Sequence, residues 1–265
     1  PRLNAAGRMS TPDLALRLLL ASDESMAGEA RALAEQLGRE NERRQQEERA
    51  TLAGARRSVD GDPHVGARSI LVVAGEGWHR GVIGIVASKL VETYHRPAIV
   101  LSIDGDVAHG SCRSIPAFNM LEALEACHEH LDRFGGHKMA AGLTLRADRI
   151  KAFRSSIAEW ADARLGPDDL RPRLRLDARV SFRQLTLSFA EQVGRLAPFG
   201  IGNPRPLFAA TGVTVGDGPR RVKDRHLSVG LRQNGVPIRG IYWRGAERAA
   251  EIERARNGLD VAFSV

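Results

Sequence analysis

Cysteine is scarce in this sequence, with Cys112 and Cys127 the two present in 265 residues. Far apart and with no second pair, they match neither a zinc-ligand pattern nor a disulfide framework, which leaves them the role of small buried hydrophobes. Long apolar runs are lacking too, and no stretch approaches the ~20 residues of a membrane span. The opening Pro1-Arg2-Leu3-Asn4 has no initiator Met and no charged-then-apolar leader. The expectation is therefore an internal piece of a longer cytoplasmic protein. There is also no Gly-Lys-Ser/Thr P-loop, no dinucleotide fingerprint and no Gly-x-Ser-x-Gly, so the common nucleotide-binding and serine-nucleophile patterns do not apply.

What is present is a globular composition, 43% apolar, with 39 basic against 32 acidic residues and a net charge of +7. The excess is uneven: Arg205 to Arg256 holds eleven Lys and Arg against five Asp and Glu. A basic terminal region points to a polyanionic partner, with a solvated Arg-rich surface as the plain alternative.

Ser10-Thr11-Pro12-Asp13 reads as a helix start, with a hydroxyl cap and Pro in the first turn, and the run Leu14 to Leu20 predicts a short buried helix. A second helix restarts at Ser22-Asp23 and reaches about Arg57, with Met26, Ala30, Leu33, Ala34 and Leu37 at helical spacing. Arg39 to Arg49 holds no hydrophobic residue, which predicts a solvated strut joining two domains. After Asp60-Gly61-Asp62-Pro63 comes an α/β unit: strand 69–74, helix 81–94, strand 98–103, a hairpin at Asp104-Gly105 into strand 107–113, helix 118–133, a turn at Gly135-Gly136, strand 141–145 and helix 147–165. Gly166-Pro167-Asp168-Asp169 reads as a linker. Beyond it, short alternating segments at 174–182, 207–215, 226–231, 238–243 and 259–265, with a helix at 184–196, predict a small β-barrel.

Three motifs could carry chemistry. Gly75-Glu76-Gly77-Trp78-His79-Arg80-Gly81 lies between strand and helix, where N–H groups and the helix dipole can receive a phosphate, although an ordinary turn is the simpler reading. Gly110-Ser111-Cys112-Arg113-Ser114 groups two hydroxyls and a guanidinium at a strand end, suited to phosphate oxygens, with a plain surface strand end as the alternative. In Gly135-Gly136-His137-Lys138 two glycines let the backbone approach a ligand and His137 can donate to a phosphoryl oxygen, although a helix cap followed by an incidental His has the same spelling. His128-Glu129-His130-Leu131-Asp132 is a poor metal site, because His130 leaves the helix face that His128 and Asp132 share.

Collinear over essentially the whole chain, these segments resemble the RecJ family of the DHH phosphoesterase superfamily. Pro1-Arg2-Leu3-Asn4-Ala5-Ala6-Gly7-Arg8 is similar to the last motif of the catalytic DHH domain. Residues 77–88 are similar to the opening of the DHH-associated domain, and 110–115 and 133–142 to its substrate-binding motifs. Pro198-Phe199-Gly200-Ile201-Gly202-Asn203-Pro204 and the strands after it resemble the family's OB-fold. The resemblance implies an α/β DHH-associated domain joined by a long connecting helix to a DHH domain mostly outside the chain, followed by a β-barrel OB-fold. The boundaries are 1–22 for the end of the DHH domain, 23–60 for the connecting helix, 61–167 for the DHH-associated domain and 168–265 for the OB-fold.

The activity so implied is metal-dependent 5′-to-3′ removal of nucleotides from single-stranded DNA in recombination and repair. Mn²⁺ or Mg²⁺ would be held by Asp and His residues of the DHH domain. No Asp-His-His triplet or upstream aspartate motif occurs here, so no metal ligand is assigned and the isolated piece is expected not to hydrolyse DNA. His137 and Arg113 are the candidate catalytic residues. Ser111, Arg113, Ser114, Gly135, Gly136 and His137 would hold the substrate phosphates, Asn4, Arg8 and His79 would border the active site, and Arg220, Arg221, Lys223 and Arg225 would bind the strand. The implied partner is single-stranded DNA, with room for a helicase and a single-strand-binding protein, and the expectation is a monomer with no membrane association. Two alternatives stand beside this reading: a DHH-family phosphodiesterase acting on short RNA or dinucleotides, and a non-catalytic strand-binding module.

Overall fold

The computed structural model describes residues 1–21, 24–255 and 258–265. Its first elements are α1 (Arg2–Met9), α2 (Asp13–Leu20), a 3-10 turn (Glu24–Met26), α3 (Ala27–Gly61) and the single turn α4 (Pro63–Gly66). The Thr11 hydroxyl accepts the Asp13 N–H at 3.3 Å, as a helix start requires. Yet α2 buries no residue, and Leu16, Leu19 and Leu20 lie exposed. This departs from the expected buried helix: α2 lies against α1 and α3, but its leucines are not enclosed by them. The expected restart at Ser22-Asp23 falls outside the described residues.

The long helix α3 keeps most of its polar middle at the surface, as expected, but it is not a free-standing strut. It packs against α1 and α2 and against α5 (Arg80–Tyr94) and β1 (Leu71–Glu76), burying Leu33 and Leu37 early and Thr51, Ala55 and Val59 late. Between these stretches Glu48 is only 8% exposed and is ion-paired to Arg44 one turn back and to Lys89 of α5. A paired carboxylate can take a buried helix position, which a hydrophobic-spacing rule does not register.

The sheet that follows has the order β1-β2-β3-β5-β4, with β2 (Ala98–Asp104), β3 (Val107–Arg113), α6 (Met120–Ala126), β4 (Arg133–His137), β5 (Ala140–Arg146) and α7 (Ile150–Asp162) completing the unit. β1 and β2 are parallel across the α5 crossover, and every later pairing is antiparallel. Strand alternation sorts the side chains. Ala98 and Val100 pack with Val86, Leu90 and Ala55 under α5 and α3. Ile99, Leu101 and Cys112 enter a larger core with Phe118, Met120, Phe153 and Ile157 on the opposite face. Both cysteines are free and buried, and burial pushes the Cys112 thiol up to about 12 and Cys127 to about 11.

Two expectations fail in this unit. The helix foreseen from 118 to 133 ends at Ala126 and continues as a 3-10 turn at His128–His130, where the His130 ring meets Ser156 at 2.9 Å. Gly135-Gly136 is no turn but lies within the edge strand β4, paired to β5. Gly136 has φ +148, and a Cβ there would fall 2.5 Å from the Ala140 carbonyl, so backbone closeness dictates that glycine.

The chain divides after Pro172, and Arg173–Val265 forms a second unit. It comprises β6 (Ala178–Arg179), α8 (Leu187–Gly194), β7 (Phe208–Val215), β8 (Arg220–Val222), β9 (His226–Gln233), β10 (Val236–Tyr242), α9 (Ala249–Arg254) and β11 (Leu259–Phe263). Phe182, Ala210 and Val213 centre its core. The main path β10-β9-β7-β11 does not close on itself among the described residues, and β6 and β8 pair beside it. The expected barrel is thus an open sheet here. The segment foreseen as a strand over 174–182 pairs only at Ala178 and Arg179, since its leading apolar residues Leu174 and Leu176 stand exposed rather than covering the core. Among the described residues no helix is long and apolar enough to cross a membrane.

Candidate functional site

On one face of the first sheet α3 lies over β1 and α5 over β2 and β3, leaving β5, β4 and the part of β3 beside α5 open to a cleft. Register then fixes what is displayed there. His109, Thr144 and Arg133 form one row across the three strands, Ser111, Gly142 and Gly135 the next, and Arg113, Ala140 and His137 the third. The middle row is nearly flat, and larger polar side chains stand at both ends. At ~3.3 Å per residue, the outer rows lie about 13 Å apart.

Arg113 is held from below: its Nη1 donates to the Cys112 carbonyl at 2.8 Å and to Ser111 Oγ at 3.3 Å. Gly84 of α5 lies against this pair, where a Cβ would stand 3.0 Å from Ser111 Oγ and 3.2 Å from Arg113 Nη2. His137 closes its row at the exposed end of β4. Ser114 is not displayed with them. It is buried and its hydroxyl donates to the Phe118 carbonyl at 2.8 Å, so it fastens the chain after β3 and cannot also reach a ligand. Gly136 pairs with Ala141, whose side chain points into the core, so its part is conformational, whereas Gly135 has open space where a side chain would be.

A cleft of about 460 Å³ opens on this face, lined by Arg80, Ile83, His109, Gly110, Ser111, Arg133, Phe134, Gly135, Gly142, Leu143 and Thr144. No carboxylate lines it. Arg80, His109, Arg133 and Thr144 are absent from the sequence-derived site, although a strand alternates and His109 and Arg133 each precede a recognised residue by two positions. Burial first, and the nearby Arg80 charge second, lower the His109 pKa from its usual value, and its ring lies 3.3 Å from Thr144 Oγ1.

The bordering residues serve packing as well. His79 caps α5, its Nδ1 accepting the Gly81 N–H at 3.0 Å, while Trp78 fills the space above Gly75, where a Cβ would come within 2.3 Å of the indole. The glycine-bearing turn is thereby explained by the indole. Arg8 of α1 donates to the Gly81 carbonyl at 3.3 Å, and Asn4 is exposed one turn earlier. Among the described residues no group of three or more His, Cys, Asp and Glu side chains could hold a metal ion. The Mn²⁺ or Mg²⁺ implied by the resemblance finds no fitting set of ligands among the described side chains of this chain.

In the second unit the hairpin β8–β9 carries Arg220, Arg221, Lys223 and Arg225, all exposed and without an acidic partner among the described residues. Lys223 and Asp224 both have positive φ, 48° and 56°, in the tight turn. Register separates the cations: Arg220 shares a face with Ser228 and Ile241, Arg221 the other with Leu227 and Tyr242. On the Arg220 face, Val222 pairs with His226, whose ring meets Trp243 edge-on at 4.9 Å, and Trp243 is 69% exposed. Asn203 organises the Pro198–Pro204 loop, donating to the Leu196 and Pro198 carbonyls at 2.9 Å.

Comparison with known proteins gives matches to the DHHA1 domain over residues 67–163 and to the RecJ OB domain over residues 176–265. The single-stranded-DNA-specific exonuclease RecJ of Bacillus subtilis is 40% identical over 210 residues, 78% of this chain and 26% of that protein. The protein of the same name from Thermus thermophilus is 36% identical over 259 residues, 98% of this chain and 36% of its own. The crystal structure of Thermus thermophilus RecJ in complex with Mg²⁺ superposes with TM-score 0.74 at 34% identity, covering 92% of this chain and 36% of that one. Its complex with Mn²⁺ gives 0.72, covering 91% and 34%. The chain therefore spans well under half the length of these relatives.

Proposed function

The chain belongs to the RecJ family, of which it carries the DHHA1 and RecJ OB domains, and from that premise we propose that it is the strand-gripping part of a metal-dependent, 5′-to-3′ exonuclease specific for single-stranded DNA. The observation that carries the reading is the face of β3, β5 and β4 beside α5. It sets Arg113, Ser111 and His137 beside a glycine floor, with no carboxylate in the adjoining cleft. Guanidinium, imidazole, hydroxyl and backbone N–H groups around a flat floor are the donors a phosphodiester requires, and they would be positioned before charge develops on it.

In this reading Arg113 and Ser111 hold the phosphate, and His137, free at a strand end, donates to a non-bridging oxygen or to the departing one. The metal ions that generate the attacking water would be held by another part of the protein. Residues 1–22 would complete a DHH domain, with 23–60 connecting it, 61–167 gripping phosphate and 168–265 tracking the strand. A helicase and a single-strand-binding protein are natural partners for such an enzyme in the cytoplasm, working as a monomer.

The test is binding by this chain to a long single strand, to the same sequence as duplex, and to a dinucleotide. The single strand should bind at least tenfold tighter than either. Preference for the dinucleotide would instead support a phosphodiesterase of small substrates, and equal binding of duplex would refute strand specificity.

A further inference from the structure

The face that carries the proposed phosphate grip has two polar ends, and the proposed chemistry uses one. At the other, Arg80 reaches from the first turn of α5, Arg133 opens β4, and His109 and Thr144 stand between them on β3 and β5. Arg80 and Arg133 are exposed and form no ion pair among the described residues. The cleft is centred at this end, since it includes Arg80, His109, Arg133 and Thr144 but neither Arg113 nor His137. Asp104 lies near enough to act on His109, but no carboxylate lines the cleft between the two arginines, and a local excess of positive charge there attracts an anion.

We propose that Arg80, His109, Arg133 and Thr144 form a second phosphate-binding subsite, which takes a backbone phosphate about two nucleotide steps along the strand from the one held at Arg113. The proposal rests on the phosphate reading of the Arg113 end. The outer rows are about 13 Å apart, so one phosphate cannot touch both ends. Across the flat middle row of Ser111, Gly142 and Gly135, the sugar–phosphate chain can pass close to the sheet, and the absence of side chains at the two glycines is what gives it room. Thr144 supplies a hydroxyl, Arg133 and Arg80 supply charge from opposite sides, and His109 gains a proton partner when the anion is in place. The arrangement sets a minimum ligand length, because only a strand long enough to span both rows collects both sets of contacts.

The experiment uses the whole chain and two ligands, thymidine 5′-monophosphate and a 5′-phosphorylated thymidine tetranucleotide, followed through the amide resonances of Thr144 and His109 at one end and of Arg113 and Ala140 at the other. The tetranucleotide should shift both groups. In Arg133→Ala its affinity should fall about tenfold, the loss expected for one charge-assisted contact, with the Thr144 shifts gone and the Arg113 shifts kept. Monophosphate binding should be unchanged in that variant and weakened in Arg113→Ala. His109→Asn, a second variant, should weaken the tetranucleotide alone. Equal loss of both ligands in Arg133→Ala would mean one site rather than two, and no loss of either would mean that the cleft holds no phosphate; both outcomes overturn the proposal. If Arg113→Ala alters neither ligand while Arg133→Ala weakens both, the phosphate grip at Arg113 is wrong, and the subsite cannot be the second of a pair.

Discussion

The carbonyl oxygen of Arg8 occupies the space where a side chain at position 81 would have to go: a Cβ on Gly81 would fall 2.0 Å from it. The same two residues are joined by the hydrogen bond from Arg8 Nη1 to the Gly81 carbonyl at 3.3 Å. Helix α1 is thereby seated on the first turn of α5, next to the His79 cap and the residue Arg80 that lines the cleft.

Gly81→Ala should unseat α1 and lower stability by about 1–3 kcal/mol, as overpacking a close contact does. Arg8→Ala, which loses one exposed hydrogen bond, should cost less than about 1 kcal/mol. Thermal unfolding of both variants gives the comparison, and an unchanged melting temperature in Gly81→Ala would show that α1 is not held there.

Glu48 makes a similar case inside α3. Removing its carboxylate strands the side chains of Arg44 and Lys89, of which Arg44 is 14% exposed and Lys89 40%. Because water reaches Lys89, Glu48→Ala should cost about 2 kcal/mol rather than the full penalty of a buried unpaired charge, and Lys89→Ala no more than about 1. Denaturant melts of the two variants and their combination decide it. Equal losses would mean that the carboxylate is stabilised by Lys89 alone.

The α/β unit was legible because its pattern is forced. Ala98-Ile99-Val100-Leu101 is apolar throughout since both faces of β2 are covered, and the α5 stripe has nowhere else to pack. Arg133-Phe134-Gly135-Gly136-His137 hid a strand because it pairs by backbone at an edge and needs little of the usual β-forming side chains. The polar sheet face was half legible. Motifs are read along consecutive residues, while a sheet face is assembled from every second residue of several strands, so Ser111 and Arg113 were found and His109 and Arg133 were not. In the OB domain the strands from β7 onward were legible, whereas Leu174 and Leu176 alternate without entering a core, so the first strand was read too long.

Cys112 and Cys127 offer a probe of the larger core. With burial raising their thiols to about 12 and about 11, neither carries thiolate at pH 8, and access is closed as well. Iodoacetamide should modify neither in the native chain and both in denaturant. Native labelling of Cys112 at the rate of a free thiol would contradict the packing of β3 against α6 and α7.

His109 gives the pH dependence a sign. Its pKa is lowered in the folded chain, by burial first and Arg80 second, so below the ordinary value of about 6.5 the unfolded chain binds the extra proton more readily. Stability from this group is complete above that value and is lost as pH falls through it to the folded pKa. The difference in stability between the parent and His109→Asn should therefore shrink or reverse from pH 7.5 to 5. A difference that grows on acidification would mean that the imidazolium is favoured in the fold.

The second unit separates charge from stacking. Arg220 lies on the sheet face with Ile241, in line with His226 and the exposed Trp243, while Arg221 lies on the other face with Tyr242. If a single strand crosses the Trp243 face, its phosphates meet Arg220 and its bases the indole. Arg220→Ala should then flatten the dependence of log affinity on log salt by about 0.7, the value for one phosphate of a single strand, and Arg221→Ala should leave it nearly unchanged. Trp243→Ala should weaken binding by about 1–3 kcal/mol at every salt concentration without altering the slope, because stacking releases no counterions. Titrations of a labelled single strand at several salt concentrations yield both quantities at once. Equal flattening by the two arginine variants would place the strand at the Lys223 turn, within reach of both faces, and an unchanged affinity in Trp243→Ala would remove the sheet face from the path altogether.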